Sequence, residues 1–187
     1  RTLRAARSFD HLLRVTEALL DAGYSKPPTL VYRAQAMIEQ SRLDEAESLL
    51  GDLLEDAKQN QLSSSHSEAA GLLGRLNKQR FVLQINDNKA AAANHLRTAI
   101  EFYKGAYHHD CAWHGPNIVA LAWRARREGI EVGVDCEVFA KKLLTSIEDD
   151  VAASAATTAD AWQKAAQAQA YMALEQWDQA ASSYHDY

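Results

Sequence analysis

Two stretches far apart in the chain share one frame, and that frame narrows the fold more than any other feature. In LVYRAQAMIEQSRLDEAESLL, Ala34 is followed twelve residues later by Ala46, with Met37, Leu43 and Leu50 at the large apolar positions. In AQAYMALEQWDQAASSY the same frame sets Ala168 against Ala180, with Tyr171, Trp177 and Tyr184 at the matching places. A small residue on each of two helices lets their axes approach, and large residues fill the groove beside the contact. The frame therefore predicts helix pairs that stack, with Trp177 in the core and Trp162 either in the core or on the inner surface.

Composition agrees with an all-α chain. Only 8 Gly and 3 Pro occur in 187 residues, so the punctuation of short strands is scarce. SFDHLLRVTEALLDAG reads as an N-terminal helix. Ser65 and Glu68 have capping-box spacing ahead of a run to about Gln84, and KAAAANHLRTAIEFYKGAY follows as its partner. Pro116 suits the first turn of the next helix and Gly129 its end, with Glu137 to Asp149 as the paired helix. SLLGDLLEDAKQNQLSSSHS and DDVAASAATTAD read as connections. About five helix pairs result, at a repeat of about 34 residues. This spacing resembles the tetratricopeptide pattern, which implies one right-handed superhelical domain over residues 1–187.

A net charge of -5, from 20 basic and 25 acidic residues, excludes a general polyanion binder and leaves room for a local basic pocket. Two cysteines make no disulfide framework, and no secretory leader pattern or membrane-spanning run is present, so the expectation is a cytoplasmic protein. The chain opens at Arg1 without Met and stops within a helical pattern, which is the expectation for a piece of something longer.

Two segments carry candidate chemistry. In GLLGRLNKQ, Gly71 and Gly74 each cost about 1 kcal/mol relative to Ala inside a helix. Gly71, Arg75, Lys78 and Gln79 fall on one face, at once small and cationic, where a phosphate would fit and where Arg75 with Gln79 would read a planar group. In CAWHGPNIVALAWRARREGI, Asn117 and Arg124 are seven residues apart and share a face away from the apolar stripe of Ile118, Leu121, Ala122 and Ala125. Gly115 would let backbone come near a partner, free N–H groups of the first turn would favour an anion, and Trp113 and His114 would sit just outside that turn. The plain alternative is a capped helix whose arginines complement its C-terminal dipole or pair with a carboxylate.

The HHDCAWH segment offers His109, Cys111, His114 and Asp110 to a metal, but the spacing matches no closed site, and an interhelix loop is the expected reading. No Gly-x-Ser-x-Gly, phosphate-binding loop or dinucleotide fingerprint occurs. A non-enzyme without metal or cofactor is expected.

GLLGRLNKQ, WHGPNIVALAWRARREGI and AWQKAAQAQAYMALEQWDQA together resemble the divergent tetratricopeptide domain called the TRAFs-binding domain in apoptosis signal-regulating kinases, which has relatives in bacterial conflict and signalling proteins. The resemblance runs from about Phe9 to the end. Gly115 and Asn117 match its Gly-Ile-Asn signature, and Pro116 departs from it. It implies a sensor that adjoins an effector such as a peptidase, a TIR domain or a kinase, with a nucleotide-derived ligand in bacterial members. The expected function is a regulatory module that binds a small anionic ligand on its concave face and controls an effector in cis or in trans. Arg75, Lys78 and Arg124 would neutralise charge, Gln79, His114 and Asn117 would orient the ligand, and Trp113 or Trp162 would stack. If the two helices are neighbours, Arg75, Lys78 and Arg124 converge. The alternative is a scaffold whose groove holds a peptide or partner domain.

Overall fold

The computed structural model describes residues 2–60, 63–108, 110–154 and 159–185. Ten helices follow one another among these residues, with no strand between them. They are α1 (Thr2–Ala5), α2 (Phe9–Asp21), α3 (Pro27–Glu39), α4 (Leu43–Gln59), α5 (Ser63–Gln84), α6 (Lys89–Ala106), α7 (Cys111–Glu128), α8 (Cys136–Ala153), α9 (Ala161–Ala173) and α10 (Trp177–His185). The array is a tetratricopeptide-like helical solenoid, as its frame predicts. No described helix is long and apolar enough to cross a membrane.

The chain divides into two compact units, Arg1–Arg80 and Phe81–Tyr187, with the division inside α5. In the first, α2 packs on α3 and α3 on α4. Pro27 opens α3 at its first turn, where a missing N–H costs nothing. Ala34 and Ala46 are buried at the α3/α4 pair beside Met37 and Leu50.

In the second unit α7 packs against α6, α8 and α9, and α9 packs against α10. The core joins Leu96, Ile100 and Tyr103 of α6, Ile118 and Val119 of α7, Leu143 and Ile147 of α8, and Ala166 and Ala170 of α9. Asp135 caps α8 by accepting the Val138 N–H, and Asp160 with Gln163 forms a full capping box on α9. Ala168 and Ala180 are buried at the α9/α10 pair.

The α3/α4 and α9/α10 turns are built alike, bond for bond. Ser41 stands at φ 61 and donates its N–H to Ile38 O, while the Arg42 N–H reaches Met37 O at 2.9 Å. Glu175 stands at φ 59 and donates to Met172 O, while the Gln176 N–H reaches Tyr171 O at 2.9 Å. A residue in the left-handed region closes a helix by turning its last carbonyls onto following amides.

Several expected boundaries move. Gly51 to Gln59 belong to α4 and not to a connection, and α5 starts at Ser63, so Ser65 and Glu68 lie within the helix and form no N-terminal box. The tract after α8 begins only at Ser154, and residues 155–158 lie outside the described residues. Trp177 is 61% exposed rather than core, because no described helix lies over that face of α10.

Candidate functional site

In the middle of α5, Ala69 to Gly74 are all buried, as are Leu76 and Asn77. A helix covered nearly all round has no outward face to spend on charge. Its cations are nevertheless placed there, half-buried, at Arg75, Lys78 and Arg80, with Gln79 half-buried between them. Arg75 forms an ion pair with Glu39 of α3, whose other oxygen lies 3.7 Å from Arg7. Arg80 donates to Asp44 at 2.6 Å and to Glu47 at 2.8 Å, both on α4. Burial pushes the Lys78 ammonium below the usual lysine range, and the neighbouring Arg75 charge pushes it the same way.

Two polar groups on this helix escape sequence reasoning. Asn77 is buried and donates its carboxamide N–H to Leu73 O at 3.0 Å, and Ser67 is buried ten residues earlier. With Gly71 and Gly74 they make a small, polar strip along α5 (i, i+4, i+7, i+10). The signal in the sequence is a small or polar residue at each of those spacings, set around Leu72, Leu73 and Leu76.

The other candidates lie on α7 and α9 of the second unit. The α7 helix begins five residues before Pro116. Asp110 is its N-cap and accepts the Trp113 N–H at 2.9 Å, so Trp113 and His114 stand in the first turns rather than outside them. The carboxylate of Asp110 already occupies the anion-favouring end, which removes the expected free N–H site beside Gly115. Pro116 sits inside the helix and gives no N–H to the ladder. Gly115 serves a helix contact: a Cβ there would collide with the Leu143 side chain of α8.

His114 is wholly buried, its ring 5.9 Å from that of Tyr103 and 4.6 Å from that of Trp113. Trp113 is half-buried. Asn117, also half-buried, donates its side-chain N–H to Trp113 O at 2.9 Å. Arg124 is exposed, pairs with Glu128 at 2.7 Å and lies over the Phe81 ring at 5.9 Å, while Arg127 lies over Trp123 at 4.9 Å and Arg126 reaches Glu137. Gly129 at φ 65 ends the helix, and the Ile130 N–H closes back on Ala125 O. Trp162 of α9 is 72% exposed. Arg75, Lys78 and Gln79 thus share one helix of the first unit; Trp113, His114, Asn117 and Arg124 share one helix of the second.

Cys111 donates its thiol to Asp150 at 3.0 Å, and burial first, then that carboxylate, pushes the thiol up to about 12. A thiol so held is a poor nucleophile and a poor metal ligand. His109 lies outside the described residues, and no group of three metal-binding side chains occurs among those described.

The sequence profile of the family described as Tetratricopeptide Repeats-Sensor matches residues 8–122. The chain belongs to that family. The match takes in α2 to α6 and the first two-thirds of α7, so both candidate segments lie within it, apart from Arg124 and Trp162. No curated protein and no solved structure matches the chain. The Tetratricopeptide Repeats-Sensor assignment makes this a sensor-type regulatory helical module.

Proposed function

We propose that this chain is a non-catalytic sensor that binds a small anionic, nucleotide-derived ligand and biases an effector, such as a peptidase or TIR domain, attached to it or bound in trans. One observation carries the reading: a helix buried around most of its girth bears Arg75 and Lys78 one turn apart on a strip opened by Gly71 and Gly74. Together they concentrate positive charge on that strip, and a phosphate arriving there would accept charge-assisted hydrogen bonds from both. Gln79 stands beside them to orient a planar group. The family's description as a sensor supports the regulatory part of the reading.

Calorimetric titration of nucleotides and cyclic or linear oligonucleotide signals tests it. Lys78→Met should lower affinity by about tenfold or more, about 1.4 kcal/mol. The same change should leave the melting temperature equal or higher at neutral pH, because the folded pKa of Lys78 lies below the unfolded one and its charged form opposes folding until the pH rises towards 10.5. No binding by any anionic nucleotide, or unchanged affinity in Lys78→Met, overturns the reading. Participation of α7 is read separately: Arg124→Ala weakens the ligand if that helix takes part, and Arg127→Ala is the control. A peptide scaffold is the competing reading, and the exposed Trp162 and Trp177 favour it; it predicts that peptides, not nucleotides, perturb tryptophan fluorescence.

A further inference from the structure

One face of α3 carries Tyr32, Gln35 and Glu39, spaced i, i+3 and i+7. Both ends of that face are engaged. Arg4 of α1 lies over the Tyr32 ring at 5.6 Å, and Glu39 pairs with Arg75 of α5 and lies 3.7 Å from Arg7. Between them Gln35 is only 8% exposed, and its buried carboxamide Oε1 has no hydrogen-bond partner among the described residues. A buried acceptor without a donor is costly to keep in a fold, so such groups are few and each calls for a reason.

What lies opposite Gln35 follows from the direction of α5. Arg80 reaches Asp44 and Glu47 at the start of α4, while Arg75 reaches Glu39 at the end of α3, so α5 runs antiparallel to α4 and parallel to α3. One turn back from the Glu39–Arg75 pair, Gln35 is therefore level with Gly71, which has no side chain to meet the carboxamide. One turn before Gly71 on the same face of α5 stands Glu68, half-buried, and one turn beyond Arg75 stands Lys78. The strip thus has two chemically different ends. Gln35 and Glu68 offer acceptors at one, and Arg75 and Lys78 offer positive charge at the other. Of the acids nearest the cationic end, Glu39 is taken by the arginines and Asp10 by Gln40 at 2.6 Å.

We infer that Gln35 reads the base of the ligand: its Oε1 accepts the exocyclic amino N–H of an adenine seated beside Gly71, with the phosphate on Arg75 and Lys78. This assignment rests on the sensor reading and deepens it by naming the base. Gly71 and Lys78 are about 10 Å apart along the helix axis, the reach of a nucleotide from base edge to phosphate. A carboxamide carries an acceptor beside a donor and so matches the adenine edge of N6 and N7. The same edge of guanine presents two acceptors and leaves Oε1 without a donor.

Calorimetry of the 187-residue chain with ADP and with its analogue lacking the amino group, purine riboside diphosphate, tests this. The parent should bind ADP about tenfold or more tighter than the analogue. Gln35→Met keeps the side-chain length and removes the carboxamide. It should bind the two diphosphates alike, at the analogue's affinity, and melt at an equal or higher temperature, because an unpaired buried acceptor is gone. Lys78→Met should weaken both diphosphates by the same factor, since it acts on the phosphate end. Equal affinity of the parent for ADP and the analogue, a comparison that needs no variant, overturns the inference. So does an ADP preference that survives Gln35→Met, or binding of neither diphosphate. The sensor reading stands through each of these results as long as some anionic nucleotide binds and Lys78→Met weakens it; it falls only if no nucleotide binds or Lys78 proves irrelevant.

Discussion

In the α3/α4 hairpin Leu50 is fully buried and Met37 nearly so; at the matching positions of α9/α10, Tyr184 is 46% exposed and Tyr171 half-buried. Backbone and small residues do not differ. Ser41 and Glu175 share the left-handed conformation, and Ala34, Ala46, Ala168 and Ala180 are all buried. What separates the hairpins is the neighbour. Helix α5 reaches α3 and α4 with Arg75 and Arg80, whereas α7 and α8 pack on α9 and no described helix lies over the exposed face of α10. Small positions make a hairpin, and the next helix decides whether its large positions are core.

The widest gap should appear on truncating the large positions. Leu50→Ala is expected to cost about 2–5 kcal/mol, and Tyr184→Ala to stay within about 0.5 kcal/mol. Comparable losses in chemical denaturation would break the comparison by showing that α10 is covered in solution. Next come the shared contacts, where Ala34→Leu and Ala168→Leu should each overpack and cost about 1–3 kcal/mol. If both variants melt like the parent, the close helix approach is absent.

The turns give a smaller effect of opposite sign. Ser41→Gly and Glu175→Gly should each raise stability by up to about 1 kcal/mol, since glycine removes the left-handed penalty but adds freedom to the unfolded chain. A gain at one turn alone would mean that the two are not equivalent. The smallest change lies away from the hairpins, at alkaline pH. The folded-state thiol of Cys111 titrates above its unfolded value, so its contribution is complete below about pH 9 and is lost as pH rises towards 12. Cys111→Ala should flatten that part of the stability profile in a pH series of thermal melts, and an unchanged slope would contradict the buried thiol–Asp150 bond.

Much of the array was legible because helix pairing is written locally. The alanine frame finds both hairpins, and Gly129 marks a helix end where the structure has it. Two signals misled. Pro116 carries a strong first-turn preference, yet Asp110, hidden among histidines, caps α7 five residues sooner. Ser65 with Glu68 has the spacing of a box, but α5 already begins at Ser63. Trp177 could not be placed from its own hairpin, since burial depends on a neighbour that the frame does not encode. The candidate site was legible as a list of residue types: Arg75, Lys78 and Gln79 fall on one helix as spaced, and so do Asn117 and Arg124. Their surroundings were not. Lysine reads as surface, so the burial of Lys78 gives no local signal, nor does the engagement of Arg75 by Glu39 across the α3/α5 contact.

Pro116 has one more effect, on how α7 opens. Its ring nitrogen supplies no proton to the Ala112 carbonyl, so the helical ladder lacks one rung near its start. The turn before that gap is tied by the Asp110 cap, by the His114 N–H to Asp110 O at 3.0 Å, and by the Asn117 side chain to Trp113 O. The stretch from Ile118 onward is tied by the ordinary ladder and the core. In amide hydrogen exchange α7 should therefore behave as two segments, the amides of residues 113–115 exchanging through a shallow local opening and those from Ile118 to Ala125 only through a deeper one. A helix continuous to the eye would then be two cooperative pieces, joined where the chain carries a proline.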